Sequence, residues 1–436
     1  MMLPKGWVET DLGSLMLDYE VIDPRLTPER KFSYVEIGSI DNKIQKIVSP
    51  KFLLGKDAPS RARRVIKEGD IVFSTVRPYL KNISLVPKEL DNQLTSTGMC
   101  VIRTHELVDT RYIFLLICSR EFLEEVSLKQ DGTLYPAVSD RDVTDAKVPL
   151  PPLAEQRRIV AKLDSLTARI ARARVELERV QVLRKHLKHK ATQEIFSTNS
   201  KWPTARLQDL VSDGPSNGWS PSTDNTAQGT LSLKLTATTS GYIRLDNNAI
   251  KRIHETVPHD SKFWLKNGDI LIQRANALEH LGISAIFYGP EKKYIYPDLM
   301  IRVRVEDENL SRLIWYFLNS PNTRQYFREN ATGTAGNMPK INGKLVKQLL
   351  IPVPPSDVRA HVVKSFDALF AHADRLKSES QHALTLLDRL ESSLFAKAFR
   401  GELVPQDPND EPASILLDRI RAECAAAPKP KRGRKA

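Results

Sequence analysis

Two stretches of this chain keep apolar residues at heptad spacing over five repeats. After Pro151-Pro152 no glycine or proline occurs until Pro203, and from Leu153 to Ser197 a heptad can be written. Its a positions are Leu163, Ile170, Leu177, Arg184 and Ala191, and its d positions are Leu166, Ala173, Val180, Leu187 and Glu194. The second stretch repeats it 203 residues on, with Phe366, Ala373, Ser380, Leu387 and Leu394 at a, and Leu369, Leu376, Ala383, Leu390 and Lys397 at d. A near-heptad period sustained this long predicts two long helices that pack on each other as an antiparallel coiled coil, each about 67 Å long. Gly401 supplies a stop signal. Elsewhere the period shortens to that of strands. The β-branched runs 70–73, 82–86 and 99–103 read as short strands. One helical stretch is predicted over 110–128 and a counterpart over 309–329, which Pro321 should break or kink.

The matching seams belong to a repeat that runs nearly the whole chain. Trp7, Leu12 and Leu15 return as Trp202, Leu207 and Leu210. Gly69-Asp70-Ile71-Val72 returns as Gly268-Asp269-Ile270-Leu271, Gly132-Thr133 as Gly333-Thr334, and Pro149-Leu150-Pro151-Pro152 as Pro352-Val353-Pro354-Pro355. Asp164 and Phe196 return as Asp367 and Phe399. The predicted fold class is therefore α+β: two similar globules separated by a pair of long antiparallel coiled-coil helices, with a pseudo-twofold internal repeat. The boundaries read as a first globule over 1–148, a central helix over 149–197, a second globule over 198–351, a distal helix over 352–402, and a C-terminal segment over 403–436. That last segment holds a short helix and a basic tail expected to be disordered. Such an arrangement is a spacer that holds two similar surfaces at a set separation. Its span exceeds one turn of B-DNA, about 34 Å.

Charge narrows the partner. The chain has 436 residues and a net charge of +12, which suggests a polyanion such as nucleic acid. The excess is uneven: −1 over 1–148, +6 over 149–197, +5 over 198–351 and +2 over 352–436. The first globule would need a local patch, and Arg61, Arg63 and Arg64 with Lys67 form the best one. No apolar run approaches membrane-spanning length, and the N-terminus lacks the parts of a signal peptide. Three scattered cysteines exclude a disulfide scaffold and a cysteine-based zinc site, so a reducing cytoplasm is the expected compartment.

Catalytic motifs are missing. Neither Pro-Pro pair follows Asp or Asn or precedes an aromatic, as a base-holding adenine methyltransferase loop would require. Gly336 to Gly343-Lys344 spans too many residues for a phosphate loop, and Leu345 stands where a hydroxyl should bind magnesium. Asp298 lacks the downstream carboxylate-x-lysine of a nuclease. His186 and His189 share a helix face beside Lys185, Lys188 and Lys190, which reads as a solvated basic face rather than a metal site.

DNA contacts are sought among residues able to read base edges or hold phosphates. The segment after each Gly-Asp-Ile strand has that composition: Ser74, Thr75, Arg77, Tyr79, Lys81 and Asn82 in the first half, and Gln273, Arg274 and Asn276 in the second. The two differ in sequence, as expected if each reads different bases. Thr133 with Tyr135, and Thr334 with Asn337 and Lys340, form second candidate loops. The glycine-rich stretch 213–219 is a third.

The run Pro149-Leu150-Pro151-Pro152-Leu153-Ala154-Glu155-Gln156-Arg157-Arg158-Ile159-Val160 resembles the central conserved region of type I restriction–modification specificity subunits. Ala398-Phe399-Arg400-Gly401-Glu402-Leu403 resembles that family's distal region. The resemblance implies a non-catalytic protein in which each globule reads one half of a bipartite, interrupted sequence in double-stranded DNA. The paired helices set the gap and recruit two adenine-specific DNA methyltransferase subunits, and ATP-driven restriction subunits join them. S-adenosylmethionine, ATP and magnesium would be bound by those partners and no cofactor by this chain. Pro151, Pro152, Glu155, Gln156, Pro354 and Pro355 become partner-docking candidates. The second repeat departs from the pattern by carrying Val358-Arg359 in place of Glu155-Gln156. The alternative reading is a protein–protein adaptor whose helices merely space two docking globules.

Overall fold

The computed structural model describes residues 3–129, 136–198, 202–221, 229–333 and 338–426. The chain forms two compact units, residues 1–176 with 383–436, and residues 177–382. The division runs through both long helices, so each unit owns one globule and a segment of each helix.

In the first unit the strand after Gly69-Asp70, Ile71–Ser74, is the middle of a three-stranded antiparallel sheet between Met99–Ile102 and Ile83–Leu85. All four of its residues are buried, which is why it reads as a continuous apolar run rather than an alternating one. A second sheet has the order Lys51–Leu54, Lys31–Val35, Gln93–Ser96, Ala62–Ile66, with the two central strands parallel. Val8–Asp11 pairs with Lys147–Leu150, tying the start of the globule to its end.

The second unit repeats this plan. Ile270–Gln273 lies between Met300–Arg304 and Ser284–Ile286, with Asp213–Asn217 added outside Met300–Arg304. Thr230–Leu233 lies between antiparallel Ile250–Ile253 and parallel Tyr294–Ile295. Thr204–Arg206 pairs with Leu350–Pro352. The duplicated sequence has therefore given two modules that share the order of their central strands and differ at the sheet edges.

The helical stretch of each globule is two helices. Pro321 breaks the second as expected: Glu308–Leu318 ends and Pro321–Glu329 starts, with Ser320 accepting from the Thr323 amide. The single helix expected over 110–128 is likewise divided, into Thr110–Ile117 and Arg120–Ser127, without a proline. There Ser119 caps the second helix by accepting from the Phe122 amide, and that local bond competes with helix continuation.

The two long helices, Leu153–Thr198 and Ser356–Phe399, are each uninterrupted. Within each unit their segments run antiparallel. In the first, Arg174 bonds Asp388 and Glu391, while Leu163 shares a core with Ala398. In the second, Ser380 Oγ donates to the Leu177 carbonyl at 2.9 Å and Phe196 stacks on Phe366. Each globule is fixed to its own distal or central helix by the same pair, Arg111 to Asp164 at 2.8 Å and Arg312 to Asp367.

Half of the expected seam is corrected. The a positions turn inward, with Leu163, Ile170, Phe366, Ala373 and Ser380 buried. Several d positions do not: Leu187 and Leu390 are exposed, as are Glu194 and Lys397. Their place is taken by the next residue along: Lys188, Ile195 and Glu391 are partly buried and Ala398 is buried. A straight helix drifts about 20° per heptad against a 3.5 repeat, so over five repeats the second inward row moves from d to its neighbour. Gly401, at φ +75°, closes the distal helix: its amide bonds the Ala398 carbonyl and the Glu402 amide bonds the Lys397 carbonyl. Beyond it Ala413–Ala426 forms a helix whose Leu416, Leu417 and Ile420 join the first unit's core.

Candidate nucleic-acid interface

Each Gly-Asp-Ile strand begins at an anchored end. Gly69 and Gly268 have φ of +83° and +86°, a conformation that glycine adopts without strain. The Asp70 carboxylate accepts from the Lys67 amide and from two nitrogens of Arg103, at 2.8 to 2.9 Å. Asp269 does the same with the Lys266 amide and Arg304. Both carboxylates are buried. These acids therefore hold architecture and leave the opposite strand end to carry the candidate loops.

At that opposite end the structure brings separate candidate segments together. In the first unit the Val138 amide donates to the Thr75 carbonyl and the Arg77 amide to the Pro136 carbonyl, both at 2.9 Å. In the second unit the Ile341 amide donates to the Arg274 carbonyl at 2.9 Å, and Ala275 bridges Lys340. The segment after the strand thus lies beside the stretch that follows each Gly-Thr loop. Arg61 joins the first set, since the Thr97 amide bonds its carbonyl and the Thr75 amide bonds Gly98. The third candidate stretch joins the second set, because the Gly218 amide bonds the Met300 carbonyl beside Gln273.

Individual side chains differ in burial and in the bonds they make. Ser74 and Thr75 are buried and bond the Val76 and Gly98 carbonyls. Gln273 is fully buried, donating to Thr238 Oγ1 at 2.9 Å and to the Leu235 carbonyl at 3.1 Å. Arg63 pairs with Asp23, and Arg64 with Asp140 and the Met99 carbonyl, so the basic patch is largely spent on internal bonds. Lys81 donates to the Cys118 carbonyl, Asn82 is partly buried, and Arg274 donates to the Asp298 carbonyl at 3.3 Å. Asn276 donates to Gln273 Oε1 at 2.7 Å but keeps a partly exposed side chain. Arg61, Tyr79 and Lys340 are exposed, and Arg77 is partly exposed in a left-handed conformation with φ 49°. Thr133, Tyr135, Thr334 and Asn337 lie outside the described residues. Sequence reasoning passed over residues 235–242, which receive Gln273. They lie more than thirty residues upstream and carry no motif.

The second unit also presents an open groove of about 760 Å³ on its helices. Val180, Leu183, Leu187 and Leu376 form its apolar part, and Arg184, His186, His189 and Lys190 its basic rim. Leu183 and Leu187, the latter one of the d positions that do not turn inward, face out there, 54% and 40% exposed.

The sequence model of the type I restriction modification DNA specificity domain matches twice, over residues 23–180 and 199–386. The chain belongs to that family. Among its relatives, the specificity subunit of the type I restriction enzyme EcoKI from Escherichia coli is 27% identical over 356 residues, covering 77% of this chain and 76% of the relative. The StySPI specificity subunit from Salmonella potsdam is 27% identical over 355 residues, with 77% and 76% covered. Among solved structures, the HsdS subunit from Thermoanaerobacter tengcongensis is 32% identical, covers 92% of this chain and 99% of that one, and superposes with a TM-score of 0.64. A chain from a structure describing complex assembly and conformational transition of the type I R-M system reaches 0.79 at 32% identity, with 92% and 100% covered.

The family's helix-start residues have structural work here. Glu155 and Gln156 are buried. Trp7 Nε1 donates to Glu155 Oε2 at 2.9 Å, while Gln156 accepts from the Asp109 amide and donates to the Pro151 carbonyl. Burial raises the Glu155 pKa, against the pull of the Trp7 bond and Arg158. Pro151, Pro152 and Pro354 are buried and Pro355 is exposed. In the second repeat Val358 is exposed and Arg359 turns to Asp307 at 3.5 Å, so the Trp7–Glu155 bond has no counterpart between Trp202 and Val358. A partner cannot reach the Glu155 and Gln156 side chains without opening the unit.

Proposed function

We propose that each unit reads one half of a bipartite, interrupted DNA sequence, and that the two long helices fix the gap and recruit methyltransferase subunits. Specificity subunits of type I systems act on DNA together with methyltransferase and restriction subunits, and are themselves non-catalytic. The observation that carries the reading is the repeated juxtaposition of loops at one end of each Gly-Asp-Ile strand, through Val138 with Thr75 and Ile341 with Arg274. One order of central strands presents two different side-chain sets, Arg77 with Tyr79 and Arg61 in one unit, and Asn276 with Lys340 in the other. Equivalent scaffolds with unlike loops suit two unlike half-sites.

In this reading Arg77 and Asn276 meet base edges, and Arg61, Lys81 and Lys340 meet phosphates. The helix groove, apolar inside and cationic at the rim, supports docking of a methyltransferase subunit there. Those subunits would flip and methylate an adenine in each half-site with S-adenosylmethionine that they bind themselves, and the restriction subunits would use ATP and magnesium. Among the described residues no helix is long and apolar enough to cross a membrane. The test is methylome sequencing of a host with and without the gene, followed by binding of the assembled complex to the resulting site over a salt series. A bipartite methylated site and steep weakening with salt support the reading. Absence of any DNA binding at low salt, with methyltransferase present, would make the protein an adaptor.

A further inference from the structure

The second unit ties its reading segment to its own helices by a route that the first unit lacks. Gln273, at the strand end, spans two neighbours: its Oε1 accepts from Asn276, and its Nε2 donates to Leu235 O, Thr238 and Thr239. That receiving stretch continues to Tyr242, whose hydroxyl donates to Asp374 Oδ2 at 3.2 Å on the distal helix. The other Asp374 oxygen takes Lys188 Nζ at 2.6 Å and Arg184 at 3.4 Å from the central helix. Tyr242 also packs on Trp315, with ring centroids 5.4 Å apart. The bonds from Asn276 to the 235–239 stretch, and from Tyr242 to the polar cluster between the helices, are thus joined through the backbone of residues 239–242.

The first unit has other residues at these places. Ser74 stands where Gln273 does and bonds back to the Val76 carbonyl. Ala171 stands where Asp374 does, 203 residues earlier. The loop near Asn42 is held instead by the Leu80 carbonyl, and Gln45 by Cys118 Sγ. The symmetric duty of the two units does not require the Tyr242–Asp374 bond, so its effect is confined to one of them.

We propose that Tyr242 and Asp374 are positioning residues for the second half-site alone, holding the 235–242 stretch, and through Gln273 the Asn276 side chain, in reading position. The proposal rests on the DNA-reading assignment above. A hydroxyl–carboxylate bond fixes the loop at a defined height over the helices, and without it the loop relaxes while the globule core stays intact.

The experiment uses the full chain assembled with methyltransferase, and duplexes carrying the methylated site with one half-site scrambled at a time. Tyr242→Phe removes one oxygen and keeps the ring packing. Discrimination at the second half-site is expected to fall about tenfold, with discrimination at the first unchanged and the melting temperature retained. Asp374→Leu should act in the same direction, and the double variant should be no worse than the stronger single one, as residues in one chain of bonds are non-additive. Equal loss at both half-sites, or full discrimination in Tyr242→Phe, overturns the proposal. A wild-type complex without preference at either half-site overturns the DNA-reading assignment itself.

Discussion

Asp70 and Arg103 form a two-bond ion pair that reappears, residue for residue, as Asp269 and Arg304. The acid follows a left-handed glycine at a strand start, and the arginine lies one residue beyond, or at the end of, the neighbouring strand, so the pair locks the middle of each sheet to its edge. Removing one partner leaves a buried charge uncompensated. Arg103→Ala or Asp269→Asn is expected to cost about 3 kcal/mol of stability, measured by denaturant unfolding. A complex assembled on a variant that still folds should methylate the same sequence, since neither side chain lies at the loop end.

The buried and the partly exposed members of the reading segment should separate in binding. Arg77→Ala is expected to lose about 1–3 kcal/mol for the cognate first half-site, and Asn276→Ala a similar amount for the second. Gln273→Ala should lower stability together with second-half-site affinity, because its amide is fully buried among Leu235, Thr238 and Thr239. Competition binding against duplexes altered in one half-site checks all three. Loss of equal size on unrelated DNA would make Arg77 a phosphate contact.

The groove on the second unit gives a prediction about assembly. Leu183→Asp or Leu187→Asp places a carboxylate on an already exposed position, so the melting temperature should change little. Methyltransferase recruitment, followed by analytical ultracentrifugation, should weaken at least tenfold. Unchanged assembly would remove the groove from the docking surface.

Glu155 predicts a pH dependence. Its pKa is raised by burial, so the protonated form suits the folded state. The stability linked to that proton is complete below its ordinary value of 4.5 and is lost as pH rises through the raised value. Glu155→Gln stays neutral and still offers Trp7 an acceptor. The difference in melting temperature, variant minus wild type, should therefore grow from pH 4.5 to pH 7. A difference that shrinks over that range would contradict the assignment.

The repeat, the strand after each Gly-Asp and the two long helices were legible because each leaves a local signature: an offset, an apolar run, a period. Asp164 and Asp367 were visible as a repeated pair, but their task of holding Arg111 and Arg312 was not, since the partners lie more than fifty residues away. The candidate loops were legible as places. Which of their side chains point inward was not: Gln273 has the composition of a base reader, yet it is consumed by three upstream residues. The d positions failed for a different reason. A seven-residue template cannot register the gradual rotation of a straight helix, so Leu187 and Leu390 fit the pattern and still face solvent.

The first unit is assembled from two separate stretches of the chain, with Leu416 and Ile420 in the same core as Trp7 and Leu12. The second is built from one continuous stretch. On the ribosome the later module can therefore close as soon as it emerges, while the earlier one waits, unfinished, for residues 383–426. A chain cut short before Ala413 would have one completed module and one open core, a substrate for proteolysis rather than a competitor for assembly.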